Sequence, residues 1–125
     1  MQIDHINIRA SEPLLGRVKA FYRDVLGLEE GFRPAFASRG YWLYSADRPI
    51  VHLSEGGQDI PGRSPAHLDH VAFRSAGLSA FTARLRDAGI DYRSNYIPEL
   101  GITQLFFSDP AGTALEVSFP GECAE

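Results

Sequence analysis

Four side chains in this sequence are of types that bind divalent metals and recur at matched intervals: His5, His52, His70 and Glu116. His5 sits in Ile3-Asp4-His5-Ile6-Asn7-Ile8-Arg9 and His70 in Leu68-Asp69-His70-Val71-Ala72-Phe73-Arg74. These are two alternating apolar runs that carry the same Asp-His pair 65 residues apart. Imidazole nitrogen and carboxylate oxygen together suit first-row divalent ions such as Zn²⁺, Ni²⁺, Fe²⁺, Mn²⁺ or Co²⁺. His5, His70 and Glu116 alone would make the two-histidine, one-carboxylate set of non-haem iron chemistry, and His52 then decides how many positions stay open. His67 has no counterpart in the first half and reads as a surface residue.

The elements that must position these side chains follow from periodicity. After the first strand, Ser11-Glu12-Pro13 is an N-cap signal. Leu14, Leu15, Val18, Phe21, Tyr22 and Val25 form one helical stripe, and Gly27 is the stop, which predicts a helix over about 12–26. Short β-prone runs follow at 28–33, 41–44 and 50–53, and then a Gly/Pro-rich connection from Gly56 to Pro65. The order then repeats. Strand 68–74 leads to a helix bearing Leu78, Phe81, Leu85 and Ala88 with Gly89 as its stop, then strands at 90–97, 101–107 and 114–119, with a turn at Ser108-Asp109-Pro110-Ala111-Gly112. Each half is therefore βαβββ. The α+β chain is one domain over 1–125, with module 1 at about 1–56, a linker at 57–66 and module 2 at about 67–121.

The repeat holds at its far end. Ile50-Val51-His52-Leu53-Ser54 aligns with Ala114-Leu115-Glu116-Val117-Ser118 at an offset of 64, and Ser45 with Ser108 at 63. His5 thus corresponds to His70, and His52 to Glu116. Strand alternation places all four on the face opposite the bulky apolar residues, which should pack against the helices. Alternation together with the repeat also turns Tyr41, Leu43, Gln104 and Phe106 toward the metal as pocket walls. Asp4 and Asp69 point to the other face and should pair elsewhere. Arg9, Arg33, Arg39 and Arg74 are candidates to hold an anionic group.

Composition narrows the function class. At 125 residues, 44% hydrophobic and 22% charged with a net charge of −4, the chain has a globular profile. With only one lysine, Lys19, and no basic cluster, nucleic acid is not an expected partner. No apolar run reaches membrane-spanning length, and the start of the chain has no signal-peptide pattern. Cys123 is the single cysteine, so the chain forms no internal disulfide, which suits a reducing compartment, and the expected location is the cytoplasm.

On these motifs the chain resembles the vicinal-oxygen-chelate superfamily of glyoxalases, extradiol dioxygenases and bleomycin-resistance proteins. The resemblance runs through Asp4-His5-Ile6-Asn7-Ile8, Phe21-Tyr22-Arg23-Asp24-Val25-Leu26-Gly27-Leu28, Leu68-Asp69-His70-Val71-Ala72-Phe73, and Phe107-Ser108-Asp109-Pro110-Ala111-Gly112 with Leu115-Glu116-Val117. It implies two tandem βαβββ modules forming a curled mixed sheet around a divalent metal, with His5, His52, His70 and Glu116 as ligands. It also implies a small substrate chelated through vicinal oxygens, and a homodimer. Glyoxalase I usually has glutamate where this chain has His52, so Glu116 would be the remaining carboxylate base and His52 a ligand or a second acid–base group. Extradiol enzymes usually have a tyrosine where Phe106 stands, and use a histidine near the position of His52. The leading expectation is a glyoxalase-type lyase or isomerase. An Fe²⁺ extradiol dioxygenase is the alternative, and a metal-free drug- or metabolite-binding protein the third.

Overall fold

The computed structural model describes residues 1–56, 67–108, 110 and 114–123. The element order is β1 (Gln2–Ala10), α1 (Glu12–Asp24), β2 (Glu29–Gly31), β3 (Gly40–Ser45), β4 (Arg48–Glu55), β5 (Leu68–Arg74), α2 (Leu78–Asp87), β6 (Arg93–Ile97), β7 (Ile102–Ser108) and β8 (Ala114–Pro120). This is the α+β, twice-βαβββ order expected from the sequence. The predicted linker at 57–66 and most of the predicted turn after Ser108 lie outside the described residues.

The chain divides into two compact units, His5–Asp69 and Met1–Asp4 with His70–Glu125. The changeover falls inside β5 rather than at the linker. The entry to that strand is tied to β1: Arg9 N donates to His67 O at 2.8 Å, and His67 Nδ1 lies 2.9 Å from Arg9 O.

In the first unit the strand order is β2-β3-β4-β1. β1 runs parallel to β4, with Asn7 opposite His52, while β3 is antiparallel to both β2 and β4. A parallel neighbour needs a crossover, and α1 supplies it. Leu15 on α1 packs with Ala10, Leu28, Leu43, Val51 and Leu53 as the core, and Ile6, Ile8, Leu14, Val18 and Tyr22 lie against it. The predicted stripe is narrower than the sequence suggested. α1 ends at Asp24, and Phe21 and Val25 are 53% and 64% exposed. The exit is closed by Gly27 at φ +71, a left-handed conformation that favours glycine, with Leu28 N donating to Tyr22 O at 3.1 Å.

The second unit repeats the order as β5-β8-β7-β6, with β5 parallel to β8 and both remaining pairs antiparallel. Its core is Leu78, Leu85, Leu105, Val117 and Phe119, with Phe73, Phe81, Tyr92 and Phe107 packed against it. α2 starts without a local cap, because its N-cap is Gly77, which has no side chain to offer. Glu122 takes that role instead: its carboxylate accepts from Gly77 N at 2.9 Å and Leu78 N at 2.8 Å. An anion at these orphan N–H groups also matches the helix dipole. Glu122 is itself held by Thr103 Oγ1, which donates to its backbone carbonyl at 2.6 Å.

Replacing Glu122 by Ala should therefore lower the unfolding free energy by about 1 kcal/mol, the usual cost of losing a helix cap. Glu122→Gln, which keeps one acceptor oxygen, should recover part of that loss. Urea midpoints of the three proteins check it.

Candidate metal and substrate site

In the first unit, three adjacent strands each contribute one ring to the face away from the core. His52 on β4 stands directly opposite Trp42 on β3 and Asn7 on β1, and His5 precedes Asn7 by two residues on the same face. The His5 and His52 rings stack with centroids 3.6 Å apart and planes 16° apart. Trp42 stacks on the other side of His52 at 3.9 Å and 12°. All three are buried, at 4%, 7% and 7% exposure for His5, His52 and Trp42. His52 Nε2 lies 3.0 Å from the Pro49 carbonyl oxygen. A carbonyl only accepts, so this nitrogen carries the proton and donates.

This geometry bears on the expectation that His52 ligates beside His5. An imidazole binds a metal through a lone pair in its ring plane. Two rings stacked face to face hold their lone pairs in separate, nearly parallel planes, and one ion cannot lie in both. As stacked, His5 and His52 do not aim their lone pairs at one ion.

In the second unit, β5 and β7 flank β8. Glu116 stands opposite Ala72 on β5 and Phe106 on β7, and Gln104 stands opposite Ser118. His70, two residues before Ala72, shares that face. Its Nε2 lies 3.3 Å from Glu116 Oε1, with the Glu116 side chain 3% exposed and that of His70 13%. Gln104 Oε1 accepts from Asn95 Nδ2 at 2.9 Å, and the Arg93 guanidinium lies 4.8 Å over the Phe106 ring. Gln104 and Phe106 thus fall on the predicted face.

Tyr41 and Leu43 do not. Leu43 is in the core, and Tyr41 packs against that core. The residue that lines the histidine face is Trp42, which the sequence reading missed. The cause is a bulge: the β3–β4 register shifts between Leu43 and Tyr44. Matching Ser45 to Ser108 gives an offset of 63, which pairs Tyr41 with Gln104 and Leu43 with Phe106. The His52–Glu116 offset of 64 is the one that holds on the histidine side of the bulge, and it pairs Trp42 with Phe106. A slip of one residue moves every side chain to the other face.

Of the arginines proposed as anion holders, Arg33 and Arg74 have partners within the fold. Arg74 Nε lies 3.2 Å from Asp4 Oδ1, too misaligned for a hydrogen bond and so a Coulombic contact. Arg33 donates to Ser38 O at 2.9 Å and lies over Phe36, and burial lowers its pKa. Arg39 faces Glu12 at 3.9 Å on the surface. The Arg9 guanidinium covers Gly56, where a Cβ would meet it.

Comparison with known proteins agrees with this architecture. Residues 2–117 match the model of the Glyoxalase/Bleomycin resistance protein/Dioxygenase superfamily, and the chain belongs to that superfamily. It is 30% identical over 103 residues to an Arabidopsis thaliana protein named Glyoxylase I 4, an alignment covering 78% of this chain and 59% of that relative. The chain thus spans little more than half the length of that relative. Among solved structures, methylmalonyl-CoA epimerase from Mycobacterium tuberculosis superposes with a TM-score of 0.70 at 20% identity, over 97% of this chain and 89% of that one. Homoprotocatechuate 2,3-dioxygenase from Brevibacterium fuscum, in its complex with 3,4-dihydroxyphenylacetate, gives 0.69 at 20% identity, over 100% and 38%. At such identities these structures establish a shared fold. No helix among the described residues is long and apolar enough to cross a membrane.

The face assignment of β3 predicts that Leu43, 1% exposed, behaves as a core residue. Leu43→Ala should lower the unfolding free energy by about 2–5 kcal/mol, read from chemical denaturation.

Proposed function

We propose that the chain is a divalent-metal-dependent enzyme of the glyoxalase type, a lyase or isomerase. In this reading His5, His70 and Glu116 hold the ion, and a small substrate binds through two adjacent oxygens. The observation that carries it is the His70–Glu116 pair. Ligand bonds of about 2.1 Å set neighbouring donors about 3.0–3.4 Å apart, and the 3.3 Å between Nε2 and Oε1 falls in that range. A carboxylate buried to this degree is also costly unless it is paired or hydrogen-bonded, and a cation held with His70 would pair it. His5 supports the reading as the repeat equivalent of His70, with the residue type the set requires.

A divalent ion here would act as a Lewis acid on a chelated oxygen. The protein's own part is to bind and orient. Glu116 and His70 are held on a rigid strand pair, Gln104 and Phe106 form a wall on the same face, and Glu116 is the carboxylate available for proton transfer. The reading also carries a cytoplasmic homodimer, for which the exposed Phe21, Val25 and Leu26 at the end of α1 are apolar area a second copy would cover.

An Fe²⁺ extradiol-type dioxygenase is the second reading. With His52 stacked rather than ligating, the remaining two histidines and one carboxylate are the set used for O₂ chemistry.

Protein purified without chelators should carry about one metal ion per chain. EDTA should lower its Tm and metal should restore it, while His70→Ala and Glu116→Gln should each remove both effects. Absence of stoichiometric metal, with the two variants as stable as the parent, rejects both enzyme readings in favour of a metal-free binding protein. Uptake of O₂ with a catechol, supported by Fe²⁺ alone, moves the dioxygenase ahead of the lyase.

A further inference from the structure

We propose that Trp42 and His52 are positioning residues for His5: a three-ring column across β3, β4 and β1 that fixes the plane of the His5 imidazole for a divalent cation. The inference rests on the reading of His5 as a ligand, and adds that its aim is set by stacking.

Neighbouring strands lie about 4.8 Å apart, close enough to ring-stacking distance that three successive strands can each add one ring to a continuous column. The column is held at both ends of His52. Its Nε2–H is anchored on the Pro49 carbonyl at 3.0 Å, and its outer face rests on Trp42 at 3.9 Å. Trp42 is backed in turn by Phe36 at 6.0 Å, which lies under the Arg33 guanidinium. The inner face of His52 meets His5 at 3.6 Å.

Turning an imidazole about its Cβ–Cγ bond swings its in-plane lone pair away from a metal. A flat ring pressed on one face blocks that turn. Ligating histidines are commonly aimed by a hydrogen bond to their second nitrogen, and such partners matter about 10–100-fold in metal affinity. A buried stack limits the same ring freedom from the face of the imidazole, so less of it is lost when an ion binds. The chemistry of His52 is then secondary to its shape, which separates this role from ligation and from acid–base work.

Trp42 is the only tryptophan in the chain, so its emission reports on the column. Co²⁺ alone is the probe, titrated into the full chain and followed by Trp42 quenching and by calorimetry. Wild type should bind with quenching, and His5→Ala should lose both. His52→Leu, which fills the volume without a flat face, should weaken Co²⁺ binding about 10–100-fold, whereas His52→Phe should restore it to less than tenfold from wild type. Trp42→Leu, followed by calorimetry, should weaken it in the same direction and tests the column if His52→Leu does not fold. Binding of Co²⁺ by His52→Leu or by Trp42→Leu as tightly as by wild type overturns the proposal. So does a His52→Phe protein as weak as His52→Leu. Wild type that takes up no Co²⁺, or His5→Ala that binds like wild type, overturns the metal reading of His5 and this inference with it; that result is recognisable before His52 is changed.

Discussion

Parallel pairing of the first and last strand in each module is the constraint on which the site residues depend. It sets Asn7 beside His52 and Ala72 beside Glu116, so that two residues upstream His5 and His70 share a face with the ligand-type residue of the neighbouring strand. The alternative, an antiparallel return, would need only a tight turn. The parallel one requires a crossover, and α1 and α2 meet that need while covering the opposite face. The apolar alternates Ile6, Ile8, Val51 and Leu53 in one module, and Phe73, Val117 and Phe119 in the other, are therefore what turn the histidines and the carboxylate away from the core.

The central strands work differently in the two modules. Across from Glu116, β7 offers Phe106 and Gln104, an aromatic and an amide that leave the carboxylate in contact with His70. Across from His52, β3 offers Trp42, which draws the imidazole into a stack. Aromatic pairs of this kind contribute about 0.5–1.5 kcal/mol each beyond burial, enough to favour one ring orientation over its alternatives. Two positions equivalent by duplication thus end in different chemistry, a carboxylate beside an imidazole in one and an imidazole between two rings in the other.

Much of this was legible in the sequence because it depends on period two. The faces of β1, β4, β5 and β8 could be assigned from His5, His52, His70 and Glu116 and their apolar neighbours alone. Tyr41 and Leu43 follow the offset of 63 set by Ser45 and Ser108, which lies beyond a bulge in the β3–β4 pairing; the step from 64 to 63 is the only trace the bulge leaves in the sequence. Phe21 and Val25 continue the helical period of α1 yet are exposed, since periodicity says which residues share a stripe and not how wide a neighbour covers it. The stacking of His52 was illegible for a related reason: residue type permits ligation, stacking or hydrogen bonding, and only the ring opposite decides.

The long reach of Glu122 also bears on how the second module is assembled. A helix start stabilised by its own next turn can form early and alone. α2 begins at a glycine, and the groups that need satisfying wait for a carboxylate 44 residues further along, beyond β8. Its cap is completed only when the last strand has come into place beside β5 and β7. Helix and sheet in this module are thereby coupled, which favours one cooperative transition over a preformed helix, at the slower rates expected when contacts distant in sequence must close first.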